Sequence, residues 1–217
     1  DAASEYQQIA LWINAYNALT LRLIIDNYPI QASLLRSLVF PSNSIRQIPG
    51  AWDDRAFVVA GSRVSLSDIE HQILRARFSE PLIHMALNCA SLSCPSLRDE
   101  PYSPDKLREQ LEDQARIYLL RHDSLEVAEQ STTVRVSAIF EWYAEDLTTE
   151  YGSGLLAGAY GPVDGPVLEF VARHGPPHVR TIVSESVADW NVEFQSYDWS
   201  LNDRQMEREY AGERRGR

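Results

Sequence analysis

The sequence predicts an α+β fold in a single domain over residues 1–202, with helices packed on a small mixed or antiparallel sheet. Three observations predict it. Of the 217 residues 44 % are hydrophobic, enough for a packed core and too many for a disordered chain. Helical periodicities alternate with short β-like runs, but without the strand–helix–strand regularity of a parallel α/β sheet. The only cysteines are Cys89 and Cys94, too few for a disulfide scaffold or a zinc ribbon to replace a core.

The most regular element is a helix over 4–27, where Ile9, Trp12, Ile13, Tyr16, Thr20 and Leu23 share one broad face and Pro29 follows the end. Pro41, Ser42, Asn43 and Pro49 then break the pattern, leaving a short helix around Leu34 and a long connection. Residues 56–60 and 63–66 read as a hairpin turning at Gly61-Ser62. Ser67-Asp68-Ile69-Glu70 fits a capping box, so a helix is expected over 68–78 with Glu70 as its capping carboxylate, stopped by Ser79-Glu80-Pro81. The continuous apolar run 82–89 predicts a strand buried on both faces.

A loop rich in Ser and Pro follows, and Ser103 with Pro104 opens a helix that runs to about Leu120. Within 125–136 two short strands flank Gln130-Ser131, and 137–146 reads as a helix. The glycine-rich stretch 152–165 has no phosphate-loop spacing and reads as a flexible connection. Residues 167–173 are helical and end at Gly175-Pro176-Pro177, 179–183 and 192–194 read as strands, and 203–217 is a charged tail expected to be disordered.

A formal net charge of −11 argues against a surface that grips nucleic acid or anionic membrane, since that affinity comes from neutralising phosphates. No apolar run approaches the roughly eighteen residues of a membrane span. The longest, 9–25, is interrupted by Asn14, Asn17 and Arg22. Lys106 is the only lysine, which sets Schiff-base chemistry aside. No cofactor or metal is expected, because His71, His84, Cys89 and Cys94 lack a recognisable zinc spacing. The chain opens in mid-helix without an initiator Met, as a mature or trimmed fragment would.

The densest chemical cluster is Asp68-Ile69-Glu70-His71, with Cys89 eighteen residues after the histidine and then Cys94. A thiol nucleophile needs a neighbouring imidazole, and the imidazole needs an orienting partner. His71 is expected in the first turn of its helix, where the macrodipole keeps the ring neutral and therefore basic. A helix and strand joined by a tight turn bring the helix start and Cys89 to one edge. Seven strand steps cover about 23 Å against about 10 Å of helix after His71, so Cys94 on the returning loop stays an alternative. Asn14 and Asn17, three apart on one helix face, read either as ties to neighbouring loops or as donors to an oxyanion beside the thiol. His84 reads as a hydrogen-bonded core residue, and His174 and His178 as exposed loop residues.

Leu11-Trp12-Ile13-Asn14-Ala15-Tyr16-Asn17-Ala18-Leu19-Thr20, Ser67-Asp68-Ile69-Glu70-His71-Gln72-Ile73-Leu74-Arg75 and Ile83-His84-Met85-Ala86-Leu87-Asn88-Cys89-Ala90-Ser91-Leu92-Ser93-Cys94-Pro95 together resemble the domain-of-unknown-function family numbered 547. Tyr102-Ser103-Pro104-Asp105-Lys106-Leu107, Ile139-Phe140-Glu141-Trp142-Tyr143-Ala144-Glu145-Asp146-Leu147 and Tyr197-Asp198-Trp199-Ser200-Leu201-Asn202 extend the resemblance over nearly the whole chain, 8–202. The resemblance implies that Asn14, Tyr16, Asn17, Glu70, His71, Arg75 and Cys89 belong to the family pattern. Plant relatives often carry Ser at the second cysteine, which ranks Cys89 above Cys94 and His71 above His84 and weakens an obligatory disulfide between the cysteines. Bacterial relatives often look exported, so the resemblance implies an extracytoplasmic bacterial protein, periplasmic or secreted, with a cytoplasmic location as the alternative.

The leading expectation is a thiol-dependent hydrolase or transferase acting on an amide or thioester of a peptide or small molecule. It resembles papain-type or transglutaminase-type enzymes in its use of a thiol. Cys89 attacks, His71 takes its proton, Glu70 or Asp198 orients the imidazole, and Asn14 or Asn17 serves the oxyanion. The order departs from the papain-like pattern, because the histidine precedes the nucleophile. The alternative is a non-catalytic protein-interaction module with a buried polar core, for which the helical, zipper-like region of the plant relatives is the support.

Overall fold

A computed structural model describes residues 3–53, 57–128, 132–185 and 189–203. Helix α1 (Glu5–Asp26) opens on a capping box in which Ser4 Oγ accepts from Gln7 N and Gln7 Oε1 accepts from Ser4 N. Its buried face is Ile9, Ile13, Tyr16, Asn17, Thr20 and Leu23, as the periodicity predicts. The connection that follows holds two 3₁₀ turns, Arg36–Leu38 and Ile45–Gln47.

The hairpin forms from β1 (Phe57–Val59) and β2 (Ser62–Val64), with Val59 opposite Ser62. Its two-residue turn is therefore Ala60-Gly61, one residue earlier than expected. Both turn residues have positive φ, 50° and 80°, which matches the right-handed twist of the strands. The expected strand residue Ala56 lies outside the described residues.

Helical backbone then runs through 66–77, with Asp68–Arg75 as a π-helix. Its cap lies two residues before the expected one: Ser65 N donates to Asp68 Oδ2 at 2.8 Å and Asp68 N to Ser65 Oγ at 3.0 Å. Glu70 is consequently free of capping duty, and His71 sits beyond the first turn.

The expected strand over 82–89 does not form. Pro81–Met85 is a buried 3₁₀ turn whose first N–H groups are met by Glu80, which accepts from Leu82 N at 3.1 Å. An apolar run buried all round is equally compatible with strand and with tight helix, and here its own turn hydrogen bonds, with the Glu80 and Asn17 side chains, satisfy its backbone instead of a neighbouring strand. Helix α2 (Leu107–Leu119) starts later than Ser103, because 104–106 form a preceding turn.

Strands β3 (Leu125–Ala128) and β4 (Thr133–Ser137) pair antiparallel, and β5 (Asn191–Gln195) joins β4 in parallel, giving the order β3-β4-β5. The sheet is the small mixed one expected of an α+β domain. The expected helix over 137–146 is broken at Tyr143 into α3 (Ile139–Trp142) and α4 (Ala144–Tyr151).

Two further expectations are overturned. From Leu155 on, the glycine-rich stretch lies in helix α5 (Leu155–His174), which kinks at Gly161, where φ is 84°. A Cβ on Gly165 would sit 2.3 Å from Ala157 Cα, so the small residues serve close backbone packing rather than flexibility. Residues 179–183 belong to helix α6 (Pro177–Glu185), where Val179 and Val183, four apart, are both buried on one face. A helix buries this pair of valines on one face as a strand would.

One apolar cluster joins α1, the π-helix, the 3₁₀ turn, α2, the three-stranded sheet and α5, with Tyr16, Tyr118, Phe140 and Phe170 among its largest members. Among the described residues no helix is long and apolar enough to cross a membrane. The expected tail over 203–217 falls, apart from Asp203, outside the described residues.

Candidate active site

The turn that carries Cys89 is held by amide side chains. Asn17 reaches from α1 to donate Nδ2–H to Ala86 O at 2.9 Å and to accept from Asn88 N at 2.8 Å. Asn88 then donates to Pro95 O at 2.7 Å and accepts from Ala90 N at 2.9 Å, closing the turn on itself. Ala90 follows Cys89 with φ of 63°, a conformation that costs a non-glycine residue on the order of 1 kcal/mol or more and survives only where its surroundings dictate it. The chain end supplies part of that constraint: Leu92 N donates to Ser200 O and Asn202 N to Ala90 O, both at 2.8 Å.

Within the turn, Cys89 N donates to Cys94 Sγ at 2.9 Å, and Cys94 Sγ lies 3.5 Å from Leu87 O. Both cysteines are free thiols, Cys94 buried and Cys89 half-buried. Cys89 Sγ stands 2.9 Å from Ser91 Oγ and 3.2 Å from Tyr197 OH, themselves 3.0 Å apart. Hydrogen bonding from the Cys94 thiol, then from the Ser91 and Tyr197 hydroxyls, outweighs burial and lowers Cys89 to about 6. Burial, with the neighbouring Cys89, pushes Cys94 well up. The two sulfurs are thus shifted in opposite directions, Cys89 to the more acidic thiol of the pair and Cys94 to the less acidic.

Glu70 is buried and accepts from Tyr16 OH at 3.0 Å and from Tyr143 OH. Trp52 Nε1 donates in turn to Tyr16 OH at 3.4 Å. Burial, then the charge of Glu70, raises both phenols, so they remain O–H donors. The break at Tyr143 between α3 and α4 aims that ring, which also stacks on His84 with centroids 3.7 Å apart.

The two histidines of the site are fixed in the same tautomer, with the proton on Nε2 and the lone pair on Nδ1. Arg75 donates Nη1–H to His71 Nδ1 at 3.1 Å, and because arginine accepts nothing, that nitrogen keeps its lone pair and the neutral ring carries its proton on Nε2. Arg75 also forks onto Asp146, Nε to Oδ2 at 2.6 Å and Nη2 to Oδ1 at 3.1 Å. Burial opposes ionisation of Asp146, but hydrogen bonds from His84 and Arg75 hold its carboxyl well below the usual range. His84 Nε2 donates to Asp146 Oδ2 at 2.7 Å, and burial lowers the ring's basicity, so its lone pair is on Nδ1.

These groups meet in a cavity of about 270 Å³ lined by Cys89, Cys94, Glu70, His71, His84 and Tyr143, with Tyr16, Trp52, Trp142, Tyr197, Trp199 and Arg46 around them. Of the residues singled out from sequence, Cys89, His71 and Glu70 come together here. Asn14 and Asn17 do not line the cavity: Asn14 donates to Tyr102 O at 2.8 Å and accepts from Tyr102 N at 2.9 Å, so both amides tie loops to α1. Asp198 accepts from Ser200 N at 2.9 Å, within its own segment, and leaves His71 to Arg75. His174 is buried rather than exposed, 2.9 Å from Tyr151 OH, whereas His178 is exposed as expected but lies on α6 rather than in a loop.

The sequence reading missed the roles of Asp146, Tyr143, Tyr197 and Arg46. Tyr143 and Asp146 stand together in Glu141-Trp142-Tyr143-Ala144-Glu145-Asp146, where a carboxylate on the aromatic face of a broken helix was the available signal. Among the described residues no three His, Cys, Asp or Glu side chains converge as a metal-binding group.

In the comparisons with known proteins, the family profile described as "Protein of unknown function, DUF547" matches residues 1–119, a shorter span than the resemblance over 8–202. No curated protein and no solved structure matches.

Proposed function

The chain belongs to the DUF547 family, and we propose that it is a thiol-dependent hydrolase or transferase acting on an amide or thioester, with Cys89 as the nucleophile. The observation that carries this reading is the Cys89 sulfur itself, half-buried in a cleft and surrounded by the Cys94, Ser91 and Tyr197 donors that lower it to about 6. A structural cysteine in an apolar core is shifted the other way, as Cys94 is.

The thiolate adds to the acyl carbon, the bond to the leaving group breaks with its electron pair, and a thioester to Cys89 remains. Water or an acceptor amine or alcohol then cleaves the thioester and restores the thiol. His71 is assigned the donor's part, because Arg75 occupies its basic nitrogen and Nε2–H is left for the developing oxyanion. His84, carried by Asp146 and with its lone pair on Nδ1, is the imidazole suited to move the proton. Glu70 holds Tyr16 and Tyr143 in place and takes no proton from the reaction.

The test is mass spectrometry of the intact protein after exposure to a panel of small thioesters and activated esters. An acyl adduct on Cys89 that is absent from Cys89→Ala and accumulates more slowly in His71→Gln supports the assignment. Adducts confined to Cys94 move the nucleophile there, and no adduct from any member of the panel overturns the reading.

One observation favours the second reading, a protein-interaction module. Leu34, Leu35, Leu38 and Val39 are 92 %, 80 %, 82 % and 74 % exposed on neighbouring turns, an apolar patch of the kind that docking surfaces use. Retention of full cellular function by Cys89→Ala, with loss on replacing these leucines by Ser, selects that reading.

A further inference from the structure

Arg46 is a charged group of the cleft that the thiol chemistry leaves unused. Its guanidinium carbon lies 4.1 Å from the Trp199 ring centroid, 4.7 Å from Trp52 and 5.4 Å from Phe40. Trp199 meets the other two rings edge to face at 6.2 and 6.3 Å, so the three form a box around the cation. The neighbouring charges are already committed, Glu70 to Tyr16 and Tyr143, and Arg75 to Asp146 and His71. Among the described residues no carboxylate stands within ion-pair distance of Arg46, and its Nε is buried without a hydrogen-bond partner.

Aromatic faces offset part of the desolvation of a guanidinium, but they leave its fork of N–H donors without oxygen acceptors. Nε is enclosed and the terminal N–H groups donate to no described residue, so where Arg46 lines the cavity those terminal groups are a place for an oxyanion. The same rings lead to the thiol: Trp199 packs against Tyr197 at 4.7 Å, and Tyr197 OH is 3.2 Å from Cys89 Sγ. Asp53, which is exposed, and Glu70 line the same cavity, and their charges oppose a dianion more than a monoanion.

Resting on the reading of Cys89 as nucleophile, we infer that the acyl substrate carries a carboxylate, held by the Arg46 fork in its three-ring box, a short chain away from the carbonyl that the thiol attacks. The cleft then selects anionic acyl groups or peptides with an acidic side chain or terminus, and Arg46 is a specificity-determining residue.

The experiment measures alkylation of Cys89 by bromoacetyl-glycine, bromoacetyl-β-alanine and bromoacetyl-γ-aminobutyrate, each beside its neutral carboxamide. A charge-assisted fork is worth roughly tenfold or more, so at one chain length the acid should react at least about ten times faster than the amide. Arg46→Met keeps an apolar stem among the rings and should bring the ratio of acid to amide rates to about one. Equal acid and amide rates at every length in the parent protein overturn the inference, even if the variant fails to fold. A phosphonate label preferred over the carboxylates overturns it too, in favour of a phosphate-bearing substrate. Absence of any labelling at Cys89, by the neutral labels as well, refutes instead the assignment of Cys89 on which the inference rests.

Discussion

Replacing Cys94 with alanine should raise the pH at which Cys89 becomes reactive. In the folded protein Cys89 titrates at about 6, with the Cys94 thiol as the largest cause. At pH 7 that leaves about nine-tenths of the sulfur as thiolate, against about 3 % for an ordinary thiol near 8.5, roughly a thirtyfold difference in population. A less basic thiolate is also a weaker nucleophile. With a Brønsted coefficient of about 0.45 over some 2.5 pH units, reactivity falls roughly thirteenfold, and the net gain in rate at pH 7 is only about twofold. A single rate therefore decides nothing, and the assay must be the pH profile of iodoacetamide labelling at Cys89, followed by peptide mass spectrometry. The parent should show a half-maximal rate near pH 6, and Cys94→Ala should move it by more than one unit toward 8.5. The same variant deprives Cys89 N–H of its acceptor, at a stability cost of about 1–3 kcal/mol, so labelling is run well below its melting temperature. Tyr197→Phe removes a second donor without vacating the Cys94 position and should raise the midpoint by a smaller amount. A parental midpoint above 8, or one that neither variant moves, refutes the hydrogen-bonded thiolate.

Three further outcomes are expected. Asn17→Leu frees Ala86 O and Asn88 N together and should lower stability by about 2–4 kcal/mol in urea unfolding, and a parental midpoint would sink the anchoring role of this amide. Glu70→Gln replaces an acceptor of two phenol protons by an amide that accepts fewer, so it should cost about 1–3 kcal/mol, whereas a carboxylate that merely capped the helix would be replaced almost silently. His174, buried against Tyr151, is lowered from 6.5 to about 4 by burial, so between those values the unfolded chain binds the extra proton. Its contribution, on the order of 3 kcal/mol, is present in full above pH 6.5 and is lost as pH falls toward 4, and His174→Leu should flatten that limb of the stability–pH curve.

Periodicity along the chain was sufficient for the elements whose burial is one-sided. Helix α1, with Ile9, Ile13, Tyr16 and Leu23 on one face, and strands β3, β4 and β5 formed close to where their patterns ended. It failed where a segment is buried on all sides or packs through small residues. The run 82–89 carries no face for a period to mark, and the pairing of Gly165 with Ala157 depends on what crosses the helix, not on its own composition. Cys89 and His71 were legible as chemistry because cysteine and histidine are scarce in the chain, and Glu70 because it adjoins His71.

The sequence alone determined the α+β class, the first helix, the small sheet and the presence of a thiol, an imidazole and a carboxylate near one another. Only the tertiary structure decided what each of them does. Tyr16 and Tyr143 reach Glu70 from 54 and 73 residues away, and Tyr197 reaches Cys89 from 108, turning a capping carboxylate into an anchor for phenols and an ordinary thiol into an acidic one. The physical reason is that protonation, tautomer and basicity depend on which donors and charges lie within a few ångströms. Local periodicity records where a side chain faces, and the partner it meets there is supplied by chain segments far away in sequence.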